Sequence, residues 1–131
     1  MIALGLGARG GVALAGPVRV ALAGAGVRPA DVGVLATLDR LAAERRFRDL
    51  AEEFGWRLAG FSAAELAACP VPNPSALVAA ATGTPGVAEA AALLAAGPGS
   101  VLILPKTARD GVTVALAMNR PDPARAGRAG Q

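Results

Sequence analysis

The sequence predicts a three-layer α/β/α fold, in which a mixed, mostly parallel sheet of about five strands lies between helices. Three observations lead to this prediction. Short apolar runs alternate with helical patterns as far as residue 96. Two more apolar runs follow, and the five residues 107–111 that join them include a glycine, which favours an antiparallel hairpin. Small side chains dominate the 53% hydrophobic content and aromatics make up 3%, so helices can lie close to the sheet.

The first half of the chain is predicted to hold three strands joined by helices. A Gly-rich turn at residues 7–11 follows the first strand. Pro17 marks either the start of the first helix or a kink in it. Gly55 ends the second helix, whose apolar positions form one stripe. The predicted strands cover residues 1–7, 32–38 and 56–61, and the helices cover residues 12–25 and 40–54.

The second half is predicted to hold three helices and the hairpin. Ser62 and Glu65 have the spacing of a capping box. Asn73 and Thr84 each precede a proline, a pattern typical of a helix start. The helices cover residues 63–68, 74–81 and 85–96, and the strands cover residues 100–105 and 112–119. We expect one domain over residues 1–120 and a disordered, Pro/Gly/Ala-rich tail over residues 121–131.

Composition excludes several classes of function. The chain has no histidine, which excludes a Ser-His-Asp triad and an HExxH zinc site. Its single cysteine, Cys69, excludes an intrachain disulfide, and we interpret it as a small buried hydrophobe of a cytoplasmic protein. A net charge of +3 without aromatic stacking partners does not indicate nucleic-acid binding. The arginines of residues 44–49 alternate with acids, as on a solvated helix face. We expect neither a metal nor a cofactor.

The sequence also argues against membrane insertion. Residues 66–88 form a run of 23 residues without charge, the longest apolar candidate for a span. Four prolines and several polar side chains interrupt that run, which a bilayer helix would not tolerate. The N-terminus has no basic segment before its apolar run, so no signal peptide is predicted.

Polar residues follow the first two predicted strands. Gly7 and Arg9 come after the first, and Thr37 and Asp39 end the second. Because sites in open α/β sheets form at the carboxyl ends of strands, we expect these residues to face one crevice, where Arg9 can bind a carboxylate. As an alternative, Asp39 caps the next helix.

The glycines of residues 5–10 also match G-x-G-x-x-G, which allows a second interpretation. In that pattern the glycines cradle a pyrophosphate, so the chain would be a small Rossmann-like nucleotide-binding module. Asp39 is about 30 residues beyond the glycines rather than the roughly 20 that the pattern requires. In a third interpretation the glycines only form a tight exit from the strand.

Glu89 is the residue that packing alone explains least well. It lies in an otherwise apolar helix, and a carboxylate there needs a partner or a wet cleft. Lys106, the only lysine, follows the fourth strand and is the obvious cation to pair with it. The helix starts at Asn73 and Thr84 offer free backbone N–H groups to anions, although capping alone also explains these two residues.

Seven motifs, in this order, resemble the family formed by CobE and the C-terminal domain of CbiG, both from cobalamin biosynthesis. The resemblance covers about residues 2–120. The motifs are GLGAR at residues 5–9, ATLD at 36–39, FSAAEL at 61–66, VPNPS at 71–75, GTPGVAEAA at 83–91, PK at 105–106 and VTVA at 112–115.

The resemblance implies a three-layer α/β/α fold and a precorrin or hydrogenobyrinate-like ligand. It leaves two mechanisms open. In one, the chain is an enzyme that opens a ring lactone, with Asp39 or Glu89 as general base and Lys106 stabilising the oxyanion. In the other, it is a carrier that passes a labile intermediate between corrin-pathway enzymes. The substrate-binding residues implied are Gly7, Arg9, Thr37, Ser62, Asn73, Ser75, Gly83, Thr84 and Lys106.

The sequence departs from the family pattern at four positions. Ala8 and Gly10 flank Arg9 where the family commonly has Cys-Arg-Arg. Leu41 stands where the family has a lysine, and Gly86 stands where a serine is frequent. The changes remove a thiol and two cations from the expected cleft, and the missing thiol and second arginine favour the carrier.

Overall fold

The computed structural model describes residues 1–69 and 85–119, and the elements within these ranges follow the predicted order. The strands are β1 (Ile2–Ala8), β2 (Val32–Leu38), β3 (Arg57–Phe61), β4 (Ser100–Arg109) and β5 (Val112–Asn119). The helices are α1 (Ala15–Ala25), α2 (Asp39–Ala42), α3 (Arg45–Phe54), α4 (Ala63–Ala68) and α5 (Pro85–Ala96). The helix predicted over residues 74–81 and the tail over residues 121–131 lie outside the described residues.

The five strands form one mixed sheet in the order β3-β2-β1-β5-β4. β1 pairs parallel with β2, and β2 pairs parallel with β3. β5 runs antiparallel to both β1 and β4. The predicted fold class, with its parallel strands and C-terminal antiparallel hairpin, is therefore confirmed. The carboxyl ends of β1, β2 and β3 and the tip of the β4–β5 hairpin lie at the same edge of the sheet, which we call the carboxyl edge.

One face of the sheet consists of very small residues. Ala3, Ala115 and Ala117 are fully buried there against α5, and α4 packs beside it. Gly5 shows how close α5 lies to the sheet, because a Cβ added at Gly5 would be 1.8 Å from the Ala88 carbonyl oxygen. The alanine-rich composition thus allows the close helix–sheet packing that the sequence predicted.

The opposite face carries the larger apolar side chains. Leu4, Leu6 and Leu35 of the sheet pack there with residues of α1, α2 and α3, and Phe47 of α3 is completely buried among them. Trp56 precedes β3 and packs at the amino end of this core, where its ring stacks on Phe54 with centroids 4.6 Å apart. Helices therefore cover both faces, which gives the three layers.

Helix boundaries differ from the prediction in two places. α1 begins at Ala15, and Pro17 lies in its first turn, where the absent N–H would have no partner within the helix. The helix predicted over residues 40–54 is two helices, because Glu44 is extended (ψ 140°) and starts α3 afresh. This break lets Leu41 of α2 and Phe47 of α3 both face the same core.

The hairpin also differs from its predicted form. β4 continues to Arg109, so the connection to β5 is a two-residue turn rather than a five-residue loop. Asp110 (φ 53°) and Gly111 (φ 80°) are both left-handed, as tight hairpin turns require, and Asp-Gly is a sequence that favours them. No helix within residues 1–69 and 85–119 has the length and apolar character needed to cross a bilayer.

Candidate functional site

Arg9 emerges at the carboxyl edge directly after β1. Its main-chain N–H donates to the Gly111 carbonyl at 3.0 Å, which joins the loop after β1 to the hairpin turn. Its side chain is exposed and packs over Gly111, with Cδ 3.5 Å from the position of an added Cβ there. The guanidinium makes no hydrogen bond or ion pair within the described part of the chain. Among the described residues the guanidinium is thus available to a ligand, and its binding of a carboxylate stays a prediction.

Thr37 lies near the same edge but is fully buried. Its hydroxyl donates to the Leu6 carbonyl at 2.6 Å, just beyond the last ladder pair of β1 and β2, Gly5 with Ala36. The hydroxyl therefore joins the two strands where their ladder stops. The structure gives Thr37 a role in holding the edge rather than an open surface for a ligand.

Asp39 is exposed and begins α2. The N-cap position belongs to Leu38 and no side chain caps this helix, so the alternative that Asp39 is a cap is wrong. Gly60 of the neighbouring strand makes room for it, because an added Cβ there would be 3.1 Å from the Asp39 Cα. The carboxylate lies in the first turn of α2, where the helix dipole favours negative charge.

Ser62 follows β3 and forms the capping box that the sequence predicted. Its hydroxyl accepts from the Glu65 N–H at 3.1 Å, and the Glu65 carboxylate accepts from the Ser62 N–H at 2.9 Å. The half-buried Ser62 thus starts α4 at the carboxyl edge. Its hydroxyl proton is still available to a ligand, since the cap uses the oxygen as an acceptor.

Glu89 is completely buried between α5 and the sheet. Its Oε2 accepts from the main-chain N–H of Lys106 at 3.1 Å, so the expected partner residue is correct but the donor is the backbone rather than the ammonium. The bond falls where β4 is irregular between Leu104 and Thr107, beside Pro105, which has no N–H to offer. Oε1 is buried and finds no hydrogen-bond donor among the described residues.

The Lys106 side chain is exposed on the part of β4 that runs to the carboxyl edge. Its ammonium lies in no ion pair within residues 1–69 and 85–119. A buried carboxylate with one oxygen unsatisfied among the described residues is unusual in a folded core and marks the position as a candidate for function.

The predicted residues within the described ranges lie between the middle of the sheet and its carboxyl edge, and they lie on two of its faces. Gly7 is buried on the α5 face, in register with Thr113, and Glu89 lies on that face too. Thr37 and Asp39 lie on the opposite face, near α2. Asn73, Ser75, Gly83 and Thr84 lie outside the described residues. That all of these side chains surround one opening stays a prediction.

A groove of about 280 Å³ opens between α1 and the β4–β5 hairpin. Pro17, Val20 and Gly24 line it on the helix, and Leu104 and Val112 line it on the hairpin. Arg109, which the sequence analysis did not consider, stands at its end near the carboxyl edge. The groove is mostly apolar with a cation at one end.

The glycine pattern does not form a phosphate loop. Gly5 and Gly7 lie inside β1, where Gly5 allows the close approach of α5. Only Gly10 of the three lies in the turn, and α1 begins five residues later without a side-chain cap. This geometry argues against the nucleotide-binding interpretation, which needs the glycines between strand and helix.

Arg46 is a second residue with no functional signal in the sequence. We expected residues 44–49 to form a solvated helix face, but the Arg46 side chain is 21% exposed. Its Nη1 donates to the Val12 carbonyl at 2.7 Å, and its Nε donates to the Glu44 carboxylate at 2.7 Å. The expectation is therefore wrong for this residue, because an anchor 34 residues distant in sequence leaves no local signal.

Cys69 is buried beside Val87 and Ala91, as expected of a small hydrophobe. Burial raises the pKa of its thiol, because the thiolate would lose its hydration. The residue is thus poorly suited to nucleophilic chemistry at neutral pH.

The sequence matches a known protein family over most of its length. The family model for the cobalamin synthesis G C-terminus matches residues 2–117. The chain is 44% identical over 99 residues to a curated protein CobE from a Sinorhizobium species; the match covers 74% of this chain and 64% of that relative, less than two thirds of its length.

Solved structures agree with this match. A crystal structure of CobE, a protein of the vitamin B12 pathway, has a TM-score of 0.73 at 28% identity, with 89% of both chains covered. The cobalamin biosynthesis protein ChiG from Agrobacterium tumefaciens strain C58 has a TM-score of 0.71 at 33% identity, with 92% of this chain and all of that one covered. The chain therefore belongs to the cobalamin synthesis G C-terminus family and is a cobalamin biosynthesis protein resembling CobE.

Proposed function

We propose that the chain binds a precorrin or a related corrin-ring acid at the carboxyl edge of its sheet. Such a ligand is a large, flat, apolar ring fringed with carboxylates. The proposal rests on two exposed cations in a chain of a cobalamin-biosynthesis family. Arg9 and Lys106 are both exposed, and neither forms an ion pair with another described residue. Both lie toward the carboxyl edge of the sheet. Guanidinium and ammonium groups are the natural partners of ring carboxylates.

The ligand's charge determines how binding is expected to respond to salt and substitution. Exposed ion pairs weaken as ionic strength rises, because salt screens them over about 10 Å at 0.1 M. Removing one cation from a charge-assisted contact is expected to cost about tenfold in affinity. Arg57 is a matched control, since it is an exposed cation at the amino end of β3, opposite the proposed site.

The test is a titration of the purified chain with hydrogenobyrinic acid, followed by the ligand's visible spectrum and by calorimetry. We expect saturable binding that weakens with salt. Arg9→Ala and Lys106→Ala are each expected to raise Kd about tenfold, whereas Arg57→Ala leaves Kd within about twofold. Absence of any spectral or calorimetric change at saturating ligand concentrations contradicts the proposal, and equal losses in all three variants contradict the assignment of the site.

Between the two mechanisms, we propose the carrier. The position before Arg9 is Ala8 rather than a thiol, and the position after it is Gly10 rather than a second cation. The Thr37 hydroxyl donates its proton to the Leu6 carbonyl, and the Ser62 oxygen caps α4. The carrier would bind the intermediate tightly enough to protect it and release it to the next corrin-pathway enzyme without changing it.

A lactone-opening enzyme is the second candidate, and the free oxygen of Glu89 favours it. A buried carboxylate oxygen that lacks a donor among the described residues has a lone pair available to accept a proton. Incubation of the isolated chain with a lactone-bearing precorrin separates the candidates. Recovery of unchanged ligand supports the carrier, and stoichiometric excess of ring-opened product establishes the enzyme.

A further inference from the structure

The loop between β1 and α1, residues 9–14, is attached to its surroundings at three points. The Arg9 N–H donates to the Gly111 carbonyl at 3.0 Å, and the Val12 side chain contacts the same hairpin turn, with Cγ1 3.3 Å from the position of a Cβ at Gly111. The third attachment is the bond from Arg46 Nη1 to the Val12 carbonyl at 2.7 Å. Two glycines, Gly10 and Gly11, give the loop a wide choice of backbone conformations, so these attachments select the one in which Arg9 lies here.

Arg46 is built as an anchor rather than as a surface cation. Its Nε donates to Glu44 at 2.7 Å, and its guanidinium carbon lies 5.2 Å from the centroid of the Phe47 ring, a side chain at 0% exposure. Its Nη2 is buried and has no acceptor among the described residues, so it does not present a free donor at the surface. The carboxylate and the aromatic ring fix the guanidinium, and the guanidinium fixes the loop.

We infer that Arg46 is a positioning residue that holds the loop so that Arg9 is presented to the ligand. The inference rests on the proposed function for the identity of the ligand, while the anchoring of the loop is independent of it. Arg45 is the matched control: it precedes Arg46 on α3, its side chain is 86% exposed, and its one recorded ion pair within the described residues is a 3.7 Å contact with Asp49.

Trypsin tests the anchoring without any ligand, because the Arg9–Gly10 bond is itself a trypsin site. Cleavage of a folded protein at such a bond follows the fraction of time that the loop is open. Loss of one charge-assisted hydrogen bond is expected to make cleavage after Arg9 in Arg46→Gln at least about tenfold faster than in the wild type. Arg45→Gln also removes one trypsin site from α3. In this variant we expect trypsin to cleave after Arg9 at the wild-type rate.

Thermal unfolding accompanies the proteolysis, and mass spectrometry identifies the fragment of residues 1–9. If Arg46→Gln does not fold, Arg46→Lys is used instead, because the lysine ammonium can still reach one acceptor. We expect cleavage after Arg9 in Arg46→Lys to be faster than in the wild type but slower than in a loop without the anchor. Equal rates of cleavage after Arg9 in folded Arg46 variants, Arg45→Gln and the wild type overturn the inference.

A double-mutant cycle with hydrogenobyrinic acid then tests whether Arg46 acts through Arg9. We expect Arg46→Gln to raise Kd about tenfold in the wild-type background and less than about twofold in the Arg9→Ala background. Independent, multiplying losses would mean that Arg46 contacts the ligand itself, which overturns the positioning role. Failure of the wild type to bind the ligand contradicts the proposed function, whereas the trypsin result still decides the anchoring.

Discussion

Gly5 allows the short distance between α5 and the sheet. It lies in the central strand β1, and α5 crosses it so closely that an added Cβ would be 1.8 Å from the Ala88 carbonyl oxygen and 2.8 Å from the Ala92 nitrogen. Both atoms are helix backbone, so a rotamer change cannot relieve the contact. Any side chain at Gly5 must therefore move α5 away from the sheet.

We expect Gly5→Ala to lower the free energy of unfolding by about 3 kcal/mol or to prevent folding, since overpacking of a core costs at least 1–3 kcal/mol. Gly24→Ala is the control, because nothing lies within 4 Å of its added Cβ and helical glycine is replaced by a better helix former. That variant is expected to gain about 0.5–1 kcal/mol. Urea denaturation of both variants measures the difference; a Gly5→Ala protein as stable as the wild type would contradict the packing described.

Substitutions of Glu89 distinguish a structural role of its buried carboxylate from a role as general base. In Glu89→Gln the amide oxygen can still accept from the Lys106 N–H, while the other oxygen becomes an NH₂ donor. In Glu89→Ala the Lys106 N–H loses its acceptor and a cavity forms. We expect losses of about 1 kcal/mol for Gln and about 2–4 kcal/mol for Ala in denaturant unfolding.

The same pair of variants reports on chemistry. A general base at Glu89 predicts that Glu89→Gln binds the tetrapyrrole normally but has no lactone-opening activity, whereas a purely structural Glu89 predicts normal behaviour of the Gln variant in both assays. Equal stability of the Gln and Ala variants would contradict the role given to the Lys106 N–H.

At the scale of elements, the short turn over Pro29–Asp31 leads the chain into β2. Asp31 accepts from the Arg28 main-chain N–H at 3.1 Å and from the Arg28 guanidinium through both carboxylate oxygens. These bonds to Arg28 lower the pKa of Asp31 below its ordinary value, the side-chain bond being the largest cause. The same pairing raises the pKa of Arg28.

A depressed carboxyl pKa predicts the pH dependence of this turn. The pairing stabilises the fold at pH values above the unfolded-state pKa of about 4, and the stabilisation is lost as pH falls through the lower folded-state pKa. Asp31→Asn should therefore have a lower Tm than the wild type at pH 7 and the same Tm near pH 2. A Tm difference that persists unchanged at low pH would contradict this ionic origin. Because Arg28 is exposed and Asp31 is only half-buried, we expect a small effect.

At the scale of the whole molecule, Trp56 reports on the integrity of the larger core. It is the only tryptophan, it stacks on Phe54, and its indole N–H donates to the Pro29 carbonyl at 2.8 Å. The side chain thus connects the end of α3 to the turn before β2. Both cores share β1, β2 and β5, so they are expected to unfold together.

We predict coincident unfolding transitions from Trp56 fluorescence and from far-UV circular dichroism. The fluorescence is expected to shift to the red as the buried indole meets water. Gly5→Ala, which acts on the opposite face of the sheet, is expected to lower both midpoints equally if it folds. Separate midpoints for the two signals would show that the layers on the two faces unfold independently.

Apolar periodicity, glycines and caps predicted most of the fold. The capping box at Ser62 and the parallel arrangement of the first three strands depend on neighbours within a few residues or on simple connection rules, and both are confirmed. The hairpin was predicted with too long a loop, although Asp110-Gly111 is itself a tight-turn sequence. The break between α2 and α3 has no comparable signal, because residues 40–54 keep one helical stripe across it.

The site shows where such local reasoning stops. Sequence alone determined the residue types, their order along the chain and therefore the family and the edge of the sheet at which Arg9 and Asp39 emerge. Tertiary structure alone decided that Arg46 anchors Val12, that Glu89 meets the Lys106 backbone, and that Gly5 serves the approach of α5. Each of these contacts joins atoms distant along the chain, and only the folding of the sheet and its helices brings such atoms within hydrogen-bonding or packing distance.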